Sequence, residues 1–259
     1  RYLLDELLAD TATGHNIEQT VFIECGVFYR PDGDESMRVA GEVEFANGIA
    51  AMSASGMYGS TRAAAGIVGT ADLTVGGAVE EVLREQIRVG GGRFKGIRHA
   101  AGWEDKTRDI HNSHTNPPRY LYRDHEGFRE GFRKLGDLGL TFDAWLYHPQ
   151  LDDVVSLARD FPDQPIVMNH VGGPLGLSWY SDKRPEVYAD WHRAMVELST
   201  CHNVCVKLGG LGMKLNGFGF EHNDRAPSSE ELATAWRPFM ETTIEAFGAN
   251  RCMFESNFP

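Results

Sequence analysis

Short apolar runs alternate along this chain with stretches in which apolar residues recur every three or four positions. The runs fall at 19–25 (QTVFIEC), 65–73 (AGIVGTADL), 94–100 (FKGIRHA), 141–147 (TFDAWLY), 165–170 (PIVMNH), 204–210 (VCVKLGG) and 252–258 (CMFESNF), and they predict seven strands. Helical spacing appears between them: Val39, Val43, Ala46, Ala50; Val79, Leu83, Ile87; Phe128, Phe132, Leu135; Leu151, Val154, Ala158, Phe161; Val187, Trp191, Met195, Leu198; Leu232, Trp236, Phe239, Thr243, Phe247. A leading helical pattern over Tyr2–Leu8 has no strand before it. Strand and helix taking turns in this way point to a parallel sheet, and runs as apolar as VFIEC and IVMN indicate burial on both faces.

A closed (β/α)₈ barrel and an open doubly wound sheet share that periodicity, so the connections decide between them. Helix-to-strand links are short (136–140, 162–164, 202–203, 248–251), whereas strand-to-helix links include 101–124, 171–183 and 209–228, rich in Gly, Pro, Trp, Tyr, His and Arg. Elaboration of the loops that follow strands is the habit of the barrel, whose site they build. The expected architecture is therefore an α/β fold, a (β/α)₈ TIM barrel with its first strand missing from this chain. It reads as one domain over 1–259, truncated at both ends: it opens inside a helical pattern and stops directly after a strand.

Length agrees, since 259 residues suit one large α/β core. Charge narrows the partners. Asp and Glu outnumber Lys and Arg 37 to 25, a formal charge of −12, with no basic stripe to neutralise a phosphate backbone. No apolar run approaches the roughly 18 residues of a membrane span. Nucleic acid and membrane are thus set aside in favour of a small-molecule substrate, with room for a homo-oligomer. Cys25, Cys201, Cys205 and Cys252 show no paired spacing and no secretory leader precedes them, which reads as free thiols in a cytoplasmic protein.

The candidate chemistry lies at strand ends. His148 follows TFDAWLY and His170 closes PIVMNH, 22 residues apart with a helix between, so a parallel βαβ unit brings both imidazoles to one rim. Each has a plainer reading as a core histidine bonded to a neighbouring carbonyl. Glu24, Arg98, His99, Lys207, Glu255 and Asn257 sit at other strand ends. Arg98 offers a planar fork for a carboxylate, or a salt bridge to a loop acid. Lys207 and Glu255, on neighbouring strands, either serve function or neutralise each other. His111 and His114, in the long loop with Trp103, read as a lid or as a solvated loop. Known motifs fail: Arg129 breaks a metalloprotease pattern at His125-Glu126, no Gly-x-Ser-x-Gly elbow occurs, and 209–214 lacks dinucleotide spacing.

Taken together, GIRHA (96–100), YHPQ (147–150), NHVGGP (169–174), VKLGGLG (206–212) and MFESNFP (253–259) resemble, in order and spacing, the amidohydrolase-2 group of the amidohydrolase superfamily. The resemblance covers nearly the whole chain and implies a barrel hydrolase, with sugar and pyrone lactonases and metal-dependent nonoxidative decarboxylases among its members. It implies His148 as a metal ligand beside an upstream His-x-His pair that this chain does not contain. His170 would polarise the substrate carbonyl, handle a proton or join the metal. Arg98, His99, Trp103, Tyr147, Lys207 and Glu255 are the substrate-binding set. Asn257 stands where many members carry Asp; an amide takes no proton from water but can orient it, alongside Glu24. The expected cofactor is one divalent metal, Zn²⁺ or Mn²⁺, with metal-free activity as the alternative. The expected function is opening of a lactone or related C–O or C–N bond in a small carboxylated or sugar-like substrate. The rivals are a metal-dependent decarboxylase and a binding protein without catalysis.

Overall fold

The computed structural model describes residues 2–113 and 116–258. In chain order its regular elements are α1 (Leu4–Thr11), β1 (Gln19–Ile23), α2 (Ala40–Ala54), β2 (Arg62–Thr70), α3 (Val79–Val89), β3 (Phe94–Ala100), α4 (Leu121–Asp124) and α5 (Glu126–Asp137). They continue with β4 (Thr141–Trp145), α6 (Leu151–Asp160), β5 (Ile166–Met168), α7 (Arg184–Ser199), β6 (Val204–Leu208), α8 (Ser229–Phe247) and β7 (Cys252–Phe254). All seven predicted strands form. The chain divides into two compact units, one running to His99 and including Glu126–Thr141, the other made of Ala100–His125 and Phe142–Phe258.

In the first unit β1, β2 and β3 pair in parallel, with Val21 opposite Gly66 and Val68 opposite Gly96. Burial of β2 on both faces is what its apolar run required. α3 shows why the flanking segments are helical. Val79, Val82, Leu83 and Gln86 lie on one buried stripe, Glu80 and Glu81 face the positive end of the helix dipole, and Arg88 faces the negative end. Burying a side chain such as Leu83 stabilises the fold by about 1.5–3 kcal/mol.

In the second unit β4, β5, β6 and β7 pair in parallel, with Phe142 opposite Ile166, Val167 opposite Cys205 and Lys207 opposite Met253. Period-two alternation then separates two faces. Phe142, Ala144, Ile166, Met168, Val204 and Val206 are buried and apolar on one. Asp143 and Lys207 share the other, and Asn169 and Glu255 continue it past the ends of β5 and β7. α7 turns Val187, Trp191, Met195 and Leu198 inward, and α8 opens on a capping box of Ser228 with Glu231. Among the described residues no helix is long and apolar enough to cross a membrane.

Candidate active site

β5 ends at Met168, and Asn169 still donates its N–H to the Ala144 carbonyl at 2.9 Å. The backbone then turns left-handed for four residues, with φ of 51° at His170, 45° at Val171, 74° at Gly172 and 57° at Gly173. Left-handed geometry costs a residue with a Cβ roughly 1–2 kcal/mol, and a β-branched residue there is an outlier. Such strain persists only where the surroundings fix it. Here the Trp191 indole N–H donates to the Val171 carbonyl at 2.6 Å, and the His148 N–H donates to the Gly173 carbonyl at 3.0 Å. Gly172 and Gly173 are obligatory, because a Cβ would stand 2.8 Å from Met195 Sδ at the first and 2.5 Å from the Leu146 carbonyl oxygen at the second.

The turn delivers His170 as a buried ring whose Nδ1 lies 2.7 Å from Glu255 Oε1, on the segment following β7. Trp145 meets the ring edge-on at 4.6 Å between centroids. An ionised carboxylate only accepts, so Nδ1 carries the hydrogen, which leaves Nε2 as the nitrogen able to take a proton. This is the arrangement of an oriented base. Glu255 is therefore the partner of His170 rather than of Lys207, which corrects the pairing entertained from adjacent strands.

Lys207 is engaged elsewhere. Its buried Nζ donates to Asp143 Oδ2 at 2.5 Å and to Asn169 Oδ1 at 3.3 Å, and Asn169 Nδ2 donates to the same Asp143 oxygen at 3.0 Å. Cation, carboxylate and amide thus close a buried network in which each satisfies the others, the condition for ions to sit away from water. The network holds Asn169, the residue before the left-handed turn. Asp143 was missed in the sequence, although an acid inside the apolar run TFDAW is a signal that calls for a buried cation.

His148 does not join His170. Its Nδ1 accepts the Leu175 N–H at 3.1 Å, its ring meets Tyr180 edge-on at 5.5 Å, and burial pulls its pKa down to about 4. The ring is therefore neutral with its hydrogen on Nε2, and neither nitrogen keeps a lone pair for a metal. Among the described residues no group of three or more His, Cys, Asp or Glu could hold a metal ion. The donors present do not fit the expected centre, so its ligand set is not assembled from them. Tyr147 is buried, and its hydroxyl donates to the His111 carbonyl at 2.5 Å. Burial also raises the Tyr147 pKa. Trp103 is fixed by its backbone: its N–H donates to Gln150 Oε1 at 2.8 Å, while Gln150 Nε2 donates to the Ala101 and Arg119 carbonyls. Gln150 is the unforeseen organiser of that loop. His114 lies outside the described residues.

The remaining candidates belong to the first unit, apart from Asn257. Arg98 Nε donates to Glu24 Oε1 at 2.7 Å and its Nη2 to the Glu24 carbonyl, so the salt-bridge reading of Arg98 describes the geometry. His99 points to the opposite face of β3, where its Nδ1 accepts the Leu73 N–H at 3.2 Å and Phe128 packs edge-on. That places it in the packing between β3 and α5. Asn257 is exposed at φ 49° and its side chain makes no hydrogen bond among the described residues.

The chain is similar to several known proteins. A protein of uncharacterised function from Sinorhizobium fredii, y4mH, is 32% identical over 258 residues, spanning this whole chain and 72% of its own length. An L-fucono-1,5-lactonase from Burkholderia multivorans is 24% identical over 195 residues, 75% of this chain and 57% of the lactonase. In structure the chain is similar to an amidohydrolase from Burkholderia multivorans crystallised with bound zinc, with a TM-score of 0.66 at 22% identity, over all of this chain and 74% of that one. The α/β class, of the (β/α)₈ barrel kind with seven of its strands in this chain, is shared with it. Residues 33–259 match the amidohydrolase-2 family, and the chain belongs to that family of hydrolases.

Proposed function

We propose that the chain carries the strand-end chemistry of a lactonase, opening the cyclic ester of a small carboxylated or sugar-like substrate. The observation that carries this reading is the 2.7 Å bond between His170 Nδ1 and Glu255 Oε1. The likeness to L-fucono-1,5-lactonase supports it. His170 Nε2 takes a proton from water as the water oxygen bonds to the lactone carbonyl carbon, and Glu255 stabilises the imidazolium. The tetrahedral intermediate collapses with breakage of the ring C–O bond. The leaving alkoxide recovers the proton from Nε2, so one water is consumed and a hydroxy acid is released. Asn257, two residues past Glu255, orients the attacking water. Lys207 and Asp143 act through Asn169 on the position of His170 and do not touch substrate.

The product carboxylic acid is fully ionised at neutral pH, so turnover is read by indicator as proton release on a panel of sugar and pyrone lactones, with and without added Zn²⁺ or Mn²⁺. His170→Ala is expected to lose about 10²–10⁴-fold in rate, the worth of a positioned acid–base group. Glu255→Gln is expected to lose less and to shift the acid limb of the pH profile. A protein that opens none of the lactones, or a His170→Ala variant as fast as the parent, refutes the reading.

A further inference from the structure

The second unit also holds a cavity of about 470 Å³ between α6, α7 and the turns that follow β4 and β5. That volume falls within the range of small-molecule sites. Its lining includes His148, Tyr180 and Val187, with Lys106 and Arg119 among the charged residues around them. The catalytic reading of His170 makes no use of it.

Three features give the cavity a ligand chemistry. His148 is buried and, with Nδ1 accepting from Leu175, presents Nε2–H as a donor that has no hydrogen-bond partner among the described residues. Lys106 and Arg119 have no carboxylate partner among the described residues: Lys106 Nζ stands 5.4 Å over the Tyr180 ring, and the Arg119 guanidinium lies 5.3 Å from Trp103 and 5.1 Å from Tyr120. The acids around the cavity are mostly committed, Asp152 to Arg123 at 3.7 Å, Asp190 to Arg193 at 3.1 Å and Glu197 to Arg159 at 3.1 Å. Lys183 is likewise taken by Asp182 and the Trp179 carbonyl. Of the lining charges, two cations and Glu186 stay uncommitted, and a neutral buried donor adds to the cations. Such a set recognises an anion, while Tyr180 and Val187 supply apolar surface for a body attached to it.

We propose that this cavity binds a small organic carboxylate with a flat apolar body, its anionic end held by Lys106, Arg119 and the His148 Nε2–H. Benzoate is the probe, and benzamide, of the same shape without the charge, is its control. Calorimetric titration is expected to show benzoate binding that weakens with salt and exceeds benzamide binding at least tenfold. The Lys106→Ala/Arg119→Ala variant changes two exposed side chains, which leaves folding intact, and is expected to bind benzoate at least tenfold more weakly. His148→Phe removes the buried donor and is expected to weaken binding as well, whereas His170→Ala binds as the parent does. The proposal is overturned by equal binding of benzoate and benzamide, by unchanged affinity in the Lys106/Arg119 variant, by loss of binding in His170→Ala, or by no benzoate binding at all.

Discussion

Replacing Lys207 by Met removes the ammonium and leaves the Asp143 carboxylate, 2% exposed, with Asn169 as its only remaining side-chain donor among the described residues. Breaking a buried pair from one side costs about 3–5 kcal/mol, because the surviving ion must be kept from water without its counter-charge. A further loss falls on Asn169, whose Oδ1 gives up the Lys207 donor while its Nδ2 keeps the Val167 carbonyl at 3.0 Å. Losing that hydrogen bond to a charged group adds about 1.5–3 kcal/mol of its own. The double variant Asp143→Leu/Lys207→Met has no stranded charge and retains only that smaller loss. It is expected to be more stable than Lys207→Met alone, with a coupling energy of at least about 2 kcal/mol. Urea unfolding of the parent, both single variants and the double variant closes the cycle, with midpoints compared at constant m. At about 2–4 °C per kcal/mol for chains of this size, the Lys207→Met loss corresponds to a fall in Tm of roughly 6–20 °C. A loss below about 1 kcal/mol in Lys207→Met, or a double variant as unstable as the sum of the singles, refutes the account of a dry, mutually neutralising network.

Gly210→Ala places a methyl 2.6 Å from His170 Cβ at a residue with φ 76°, so it is expected to cost roughly 1–3 kcal/mol in urea unfolding and to abolish lactone opening by displacing the ring. Burial lowers the His148 pKa to about 4, below its unfolded value near 6.5, so the unfolded chain binds the proton first as pH falls. The stabilising contribution is complete above about pH 6.5 and is lost between there and pH 4, up to about 3 kcal/mol; unfolding curves of His148→Gln over that window are expected to lack this slope. Glu42 is buried, accepts the Cys25 and Val27 N–H groups on Oε1 and leaves Oε2 without a hydrogen-bond partner among the described residues, and burial raises its pKa. A carboxyl with a raised folded pKa stabilises at low pH and less as pH rises, so Glu42→Gln is expected to exceed the parent in stability at pH 8 and to lose that advantage in acid, as thermal unfolding at the two pH values will show.

The strands were legible because each carries a short apolar-rich run bounded by turn residues, and the longer helices because their buried positions repeat with the helical period. α4 was not, since the four residues of Leu121–Asp124 cannot display a period; Asp153, a residue of α6, holds them by accepting the Tyr122 and Arg123 N–H groups. At the site, His170 was legible from its strand end and its glycines. Its partner was not, because strand adjacency offered Glu255 only Lys207 on β6; the bond to His170 reaches across β6, and Asp143 holds Lys207 instead. His148 shows the limit of strand-end logic. The polypeptide turns at once into Pro149, which swings the imidazole to Leu175 and Tyr180, and no periodicity records that rotation. The bond of Arg98 to Glu24 spans 74 residues, a distance across which sequence proximity carries no information.

Glu255 and His170 are 85 residues apart, and β6 lies between the strands they follow. The histidine and its turn are complete once β5, α7 and Trp191 have assembled, but the ring acquires its proton-holding partner only when β7 is in place. Synthesis from the N-terminus therefore passes through a stage in which the imidazole exists without its orienting carboxylate. Appearance of activity during refolding is then a clock for this long-range contact, one that loop closure makes slow to form, whereas helix content and burial of Trp191 report more local events.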